Sequence, residues 1–183
     1  FMLVLIGPSA SGKTEIAKIL IRDFGMRKLV TYTTRSMRPG EKNGIDYNFV
    51  TVDEFKTLET AGEFVETTLY NGNYYGTRKK DVDLNKVVVL DPSGLNRLCD
   101  MFGEAIVTVL LETAEETRIE RMRKRGDRAD DIEKRIAGDA VVFNRDNIKR
   151  IDRVVENDKA ELERLAVDIY RFYREKIQKN HGE

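Results

Sequence analysis

The chain is predicted to belong to the α/β class, with a parallel sheet covered by helices on both faces and an inserted α+β lobe. Three observations predict this. Short β-rich runs at 2–6, 87–90, 105–111 and 153–156 alternate with helical patterns, which is how a sheet buried on both faces reads in sequence. The segment GPSASGKT at 7–14 follows the first run directly and opens an amphipathic helix. Residues 31–80 break the alternation with a turn-rich mixture of strand and helix signals.

In chain order, Met2 to Ile6 is a wholly apolar strand. The helix after it, predicted from Thr14 to Phe24, buries Ile16, Ala17, Ile19 and Leu20 and stops at Gly25, a favourable residue just past a helix end. The inserted lobe holds Thr31 to Arg35, the turn Arg38-Pro39-Gly40, and a strand-like Asp46 to Val50. It continues with a helix opened by the capping box Thr51-x-x-Glu54, then β character from Glu63 to Tyr75 around the turn Asn71-Gly72. Asp91 ends the next apolar strand, where it can either face a ligand crevice or cap the helix after Pro92. Leu95, Leu98, Cys99 and Phe102 follow at core spacing. Arg118 to Arg135 reads as an arginine-dense helical hairpin with a polar break at Gly126-Asp127. The last helix, Lys159 to about Gln178, presents Leu162, Leu165, Ala166, Ile169, Phe172, Tyr173 and Ile177 as a core stripe. His181 reads as tail.

A chain of 183 residues supports one compact unit. Its 32 basic and 32 acidic residues balance, which argues against a polycation seeking nucleic acid or an anionic membrane. Cys99 is the only cysteine, so no intrachain disulfide is possible and a reducing compartment fits. No apolar run approaches the ~18 residues of a membrane span. The chain shows no signal-peptide pattern, and a cytoplasmic location is expected. Monomer and homodimer both stay open.

GPSASGKT is a complete G-x-x-x-x-G-K-[ST] phosphate-binding loop in its strand-to-helix context. Gly7, Pro8, Ser9, Ala10, Ser11 and Gly12 can turn successive N–H groups into one concavity, and the helix beginning near Lys13 adds its positive dipole end. In such a loop Lys13 reaches the β- and γ-phosphates of ATP while the Thr14 hydroxyl ligates magnesium.

Three further segments narrow the reading. TYTTRSMRPGEKNGIDYNFV at 31–50, GEFVE at 62–66 and GNYYGT at 72–77 follow the phosphate loop in an order and spacing that closely resemble the guanylate kinase family, over nearly the whole chain. The resemblance implies a core of 1–30, 81–117 and 136–183, a GMP-binding lobe at 31–80 and a mobile lid at 118–135. It implies ATP and GMP as substrates, with dGMP as a further acceptor, and Mg2+ as cofactor. Arg35 and Arg38, backed by the hydroxyls of Tyr47 and Tyr75, match the family's clamp on the acceptor phosphate. A dianion needs such fork-shaped, charge-assisted donors. Glu66 matches the carboxylate that accepts guanine N1–H and N2–H, with Thr31 and Thr77 reaching the base from the other side.

Phosphoryl transfer asks chiefly for alignment and charge neutralisation, and the acceptor oxygen is already anionic. Arg121 and Arg125 keep the spacing of the lid's first arginines, Arg135 matches the later one that reaches the phosphates, and Arg128 is an additional candidate. Asp91 is implied at a magnesium-bound water. Asn157-Asp158 matches a pair near the adenine of ATP. The chain departs from the family after Asp91: Ser93 stands where a second acid near guanine is usual, and the segment between Gly76 and Val87 is short for the helix that normally follows GNYYGT. Two other readings stay open. One is a catalytically inactive protein-binding module of this kind, the other a divergent kinase acting on another nucleotide or a sugar phosphate.

Overall fold

The structure, a computed structural model, describes residues 1–70, 72–159, 161–180 and 182. The tail reading of His181 and the Asn71 half of the Asn71-Gly72 turn lie outside the described residues. The elements run β1 (Met2–Ile6), α1 (Lys13–Phe24), β2 (Arg27–Lys28), β3 (Tyr32–Thr33), β4 (Asn48–Phe49), α2 (Val52–Thr60), β5 (Phe64–Tyr70) and β6 (Asn73–Arg78). They continue with β7 (Lys86–Val89), α3 (Pro92–Phe102), β8 (Ile106–Glu112), α4 (Glu115–Lys124), α5 (Ala129–Val142), β9 (Arg153–Glu156) and α6 (Leu162–Asn180).

Five strands form a parallel sheet in the order β2-β7-β1-β8-β9, so β1 is central and delivers the phosphate loop to the carboxyl edge. Strand side chains alternate between faces, and β1 is buried on both. Leu3 and Leu5 pack with Ile16, Ile19 and Leu20 of α1 and with Leu165, Ala166, Ile169 and Tyr173 of α6. Met2, Val4 and Ile6 pack with Leu95 and Leu98 of α3 and with Val65 from the lobe. The expected parallel sheet with helices on both faces is thus realised. The strand β2, two exposed charged residues on the sheet's edge, carries no apolar signal that would announce it.

The lobe has its own four-stranded sheet, ordered β4-β3-β6-β5. Its small core is aromatic: Phe55 of α2 stacks on Phe64 and Tyr74 at 4.5 and 5.4 Å between ring centres. The capping box opens α2, with Glu54 N–H on the Thr51 hydroxyl at 3.1 Å and Thr51 N–H on the Glu54 carboxylate at 2.7 Å. The strand-like stretch 46–50 shrinks to the two residues of β4, and the segment 31–35 contributes the equally short β3. Local turns claim their flanks: Lys42 N–H bonds Asp46 Oδ2 and Phe49 N–H bonds Asn43 Oδ1. A single 3₁₀ turn at Lys79–Asp81 occupies the short segment before β7. The arginine-rich hairpin is longer than residues 118–135, because Ile132 and Ile136 carry the helical spacing onward and α5 runs to Val142. Among the described residues no helix is long and apolar enough to cross a membrane.

Candidate active site

On the donor side, the loop between β1 and α1 is shaped by what packs beneath it. Gly12 has φ 93, and a Cβ there would stand 2.4 Å from Asn157 Nδ2. The Asn157 side chain is buried and donates to Ser11 O at 2.8 Å, so it props the loop from below and does not cap the following helix. Ala10 adopts a left-handed φ of 62. For an L residue this stores a modest strain of the kind that functional loops hold. Arg121 of α4 fastens that strained peptide: its guanidinium donates to Ala10 O at 3.0 Å, Asn157 O at 2.8 Å and Asp158 O at 3.2 Å.

Lys13 folds back over the loop, its Nζ donating to Gly7 O at 2.5 Å and Pro8 O at 2.9 Å. Burial holds its pKa down to about 8, with the Asp139 carboxylate opposing the shift and Arg118 and Arg125 adding to it. The Ser9 N–H points at Asp139 Oδ2 on α5, 2.9 Å away, and Arg118 of α4 donates to the same oxygen at 3.0 Å.

The acceptor side is made by side chains. Arg35 presents both guanidinium nitrogens to Glu41 at 2.8 and 2.9 Å, while Arg38 N–H donates to the same carboxylate at 2.7 Å. The paired guanidinium holds the Glu41 carboxyl down to about 2 and raises Arg35 in turn. The Arg35 guanidinium lies 5.4 Å from the centre of the Tyr47 ring, and Tyr47 meets Tyr75 edge-on. A register irregularity in β5 between Phe64 and Glu66 re-aims Glu66 toward the cleft. Its Oε1 accepts the hydroxyl of Thr77, its cross-strand neighbour, at 2.7 Å. Burial raises the Glu66 pKa, the Thr77 hydroxyl partly offsets this, and nearby Asp91 adds to it. Gly94 is what lets the first turn of α3 pass so close: a Cβ there would lie 3.2 Å from Asp91 Oδ1 and 3.4 Å from Glu66 Cδ.

A guanylate kinase family model matches residues 2–170. The chain belongs to the guanylate kinase family. It is 33% identical over 187 residues to a guanylate kinase of the Wolbachia of Brugia malayi, covering 91% of this chain and 96% of that protein. It is 32% identical to the one from Nitrosomonas europaea, covering 92% and 86%. The match to the Chromohalobacter salexigens guanylate kinase, 34% identical, spans 68% of this chain and 61% of that protein's length. The fold is similar to the crystal structure of guanylate kinase from Anaplasma phagocytophilum, with a TM-score of 0.72, 29% identity and coverage of 96% of this chain and 85% of that one.

In this guanylate kinase family member a cleft of about 600 Å³ joins the two sides. Gly7, Ser9 and Lys13 line it from the loop, Thr31, Tyr47, Glu66 and Tyr75 from the lobe, Asp91 from the sheet edge, and Arg135 from α5. Asp91 also accepts Gly94 N–H at 2.8 Å and so caps α3. Thr77 is buried behind Glu66. Thr14, Arg38, Arg125 and Arg128 are exposed, and Arg125 pairs with Asp127 at 2.6 Å. Ser93 is exposed on the first turn of α3 and does not line the cleft. The sequence reading did not include Lys134, Tyr70, Asp139 or Phe143, which also line it. Asp139 alone left a trace, an acid in the small and apolar stretch Ile136, Ala137, Gly138, Ala140, Val141.

Proposed function

We propose that this chain transfers the γ-phosphoryl group of ATP to GMP, and to dGMP, in the cytoplasm, as a monomer or homodimer. The observation that carries the reading is that one cleft is lined both by Lys13 of a phosphate loop and by the Tyr47, Glu66 and Tyr75 set of the lobe. Donor and acceptor held in such a cleft can be brought into line without a covalent intermediate.

The division of labour follows from the groups. The loop N–H donors and the N-terminus of α1 cradle the donor phosphates, and Lys13 carries positive charge to the group in transfer. Arg35 and Arg38, with the hydroxyls of Tyr47 and Tyr75, bind the acceptor phosphate, and Glu66 reads the guanine edge. Arg135, with Arg125 and Arg121 on the same hairpin, brings compensating charge as the lobe and lid close and exclude water. No cluster of three or more acidic, histidine or cysteine side chains capable of holding a metal occurs among the described residues. The Thr14 hydroxyl and the Asp91 carboxylate are hard oxygen donors of the kind magnesium takes, and would be this chain's additions to a shell made mostly of substrate phosphates and water. When bound, magnesium neutralises charge on the β- and γ-phosphates.

A coupled ADP-release assay over GMP, dGMP, AMP, UMP, CMP and a sugar bisphosphate tests this, with Lys13→Ala as blank. Release with GMP and dGMP far above the others is expected. No release with any acceptor would favour a protein-binding module, and release without preference for guanine would favour a divergent kinase.

A further inference from the structure

The charges beside the phosphate loop form an anion site with its own anion already in it. Asp139 lies 130 residues from Ser9 in the chain, yet its Oδ2 accepts the Ser9 N–H, and the Arg118 guanidinium donates to the same oxygen. The pair is largely removed from water, with the Arg118 side chain 9% and the Asp139 side chain 16% exposed. Arg118 is also under-used. A guanidinium has five N–H donors in a fork suited to phosphate, and here Nε is buried without a partner. A loop N–H and a buried guanidinium converging on one oxygen are the groups that a phosphate oxygen would attract, and Asp139 lines the same cleft as Lys13.

We propose that Asp139 is an internal stand-in for a donor phosphate, and that Arg118, released from it when ATP binds, becomes a further phosphate ligand. The inference rests on the reading of the cleft as a kinase site. Two anions cannot share the Ser9 N–H and the Arg118 fork in so dry a place, so ATP must displace the carboxylate. The displacement is coupled to the lid. Asp139 stands four residues after Arg135 on α5, hence on the same helix face, and the carboxylate pins that face to the loop. Freeing it releases Arg135 to follow the phosphates, so the hairpin's hold on the loop passes from Asp139 at an empty donor site to Arg118 and Arg135 at an occupied one.

The test is equilibrium binding of ATP, and separately of GMP, to the wild type, Asp139→Asn, Arg118→Gln and the double variant, with Lys13→Ala as reference. Asp139→Asn keeps the shape and removes the competing charge. It is expected to tighten ATP roughly 3- to 10-fold, the scale of one charge-assisted hydrogen bond, and to leave GMP unchanged. Its melting temperature should fall without nucleotide, because Arg118 loses its counter-charge, and ATP should raise it by more than in the wild type. The double variant should lose the gain in ATP affinity. If Asp139→Asn leaves ATP binding unchanged or weaker, or if the double variant binds as tightly as the single one, Asp139 and Arg118 are only a structural pair and the proposal is overturned. Should Arg118→Gln fail to fold, the Asp139→Asn comparison decides alone. ATP binding by the wild type no better than by Lys13→Ala would instead overturn the kinase reading beneath it.

Discussion

The two sides of the cleft, proposed to hold the donor and acceptor phosphates, are built from different material. The donor side is mostly backbone: one loop, shaped by a left-handed Gly12 and Ala10, propped by Asn157 and tied by Arg121. The acceptor side is side chain: Arg35, Tyr47 and Tyr75 on a lobe whose sheet includes two strands of only two residues. Each side holds a carboxylate, but from different distances. Glu41 sits six residues from Arg35 and belongs to the same turn, whereas Asp139 arrives on a separate helix. A local carboxylate shapes its site whatever else moves. A distant one ties site occupancy to the position of the element that carries it.

Lys13→Ala should break the donor side with the largest effect, because on the proposed reading Lys13 carries positive charge to the group in transfer. Turnover is expected to fall by roughly 10³-fold or more, while GMP binding stays within twofold of the wild type. Steady-state rates with a GMP titration check both halves. Equal losses in transfer and GMP affinity would mean that the two sides are not separable in the way their construction indicates.

Glu66→Gln breaks the acceptor side at the base. Gln keeps one acceptor and turns a donor toward guanine N–H groups, so kcat/KM for GMP should fall by on the order of 10²–10³. The folded protein should gain. The Glu66 pKa lies above its ordinary value of 4.5 because the carboxylate is buried, so folding takes up a proton and stability falls as pH rises through the window between the two values. Well above 4.5 the burial of this carboxylate is therefore a cost that Gln removes, and thermal denaturation without nucleotide should show a higher melting temperature for the variant at pH 7 than for the wild type. A lower one would show that the Thr77 hydrogen bond outweighs the burial.

Glu41→Ala sharpens the comparison directly. The carboxylate joins Arg35 to the Arg38 backbone, so its loss unclips the turn and frees Arg35 to wander. GMP should bind about 10-fold more weakly, the scale of losing a bidentate charged clip, with ATP unaffected. This is the opposite sign to the tightening expected at Asp139. Tighter GMP binding in Glu41→Ala would mean that both carboxylates act as competitors and that distance along the chain makes no difference.

The same contrast explains what was legible before the structure. The central sheet could be read because parallel strands buried on both faces must be apolar throughout, as Met2 to Ile6 and Val87 to Leu90 are. The phosphate loop could be read because a backbone cradle imposes glycine at fixed spacing. Segments 31–50 and 72–77 could be read because they resemble the guanylate kinase family, and their Tyr47 and Tyr75 do meet edge-on at one cleft. Long-range contacts leave far less: beyond the acid Asp139 in its small and apolar stretch, nothing in the letters marks them. Arg118 reads as one more charge on a solvated helix, and only the packing of α4 and α5 against the loop buries it beside Asp139. Ser93 occupies a motif position, yet the turn of α3 that Asp91 caps directs it outward. The edge strand β2 was invisible for a simpler reason: strand pairing by exposed Arg27 and Lys28 is decided by the neighbour β7 and not by their own side chains.

The smallest expected effect is a pH dependence confined to the donor side. Lys13, with its pKa near 8 against an ordinary 10.5, is charged in both folded and unfolded states at pH 7. Between those values the unfolded chain holds more protons, so the contribution of Lys13 to stability improves as pH rises from 8 toward 10.5 and is least favourable below 8. Binding has the opposite sign. ATP phosphates favour the charged ammonium, so above pH 8 the free protein must take up a proton to bind, and ATP affinity should weaken about twofold between pH 7 and 8 and more steeply beyond. Calorimetry in buffers of differing ionisation enthalpy would read the proton directly, and Lys13→Met should erase both the uptake and the slope. GMP binding, which meets the always-charged Arg35 and Arg38, should pass through the same range nearly flat. A slope on the GMP side matching that for ATP would place the titrating group between the two cradles, and the separation of a backbone donor site from a side-chain acceptor site would fail.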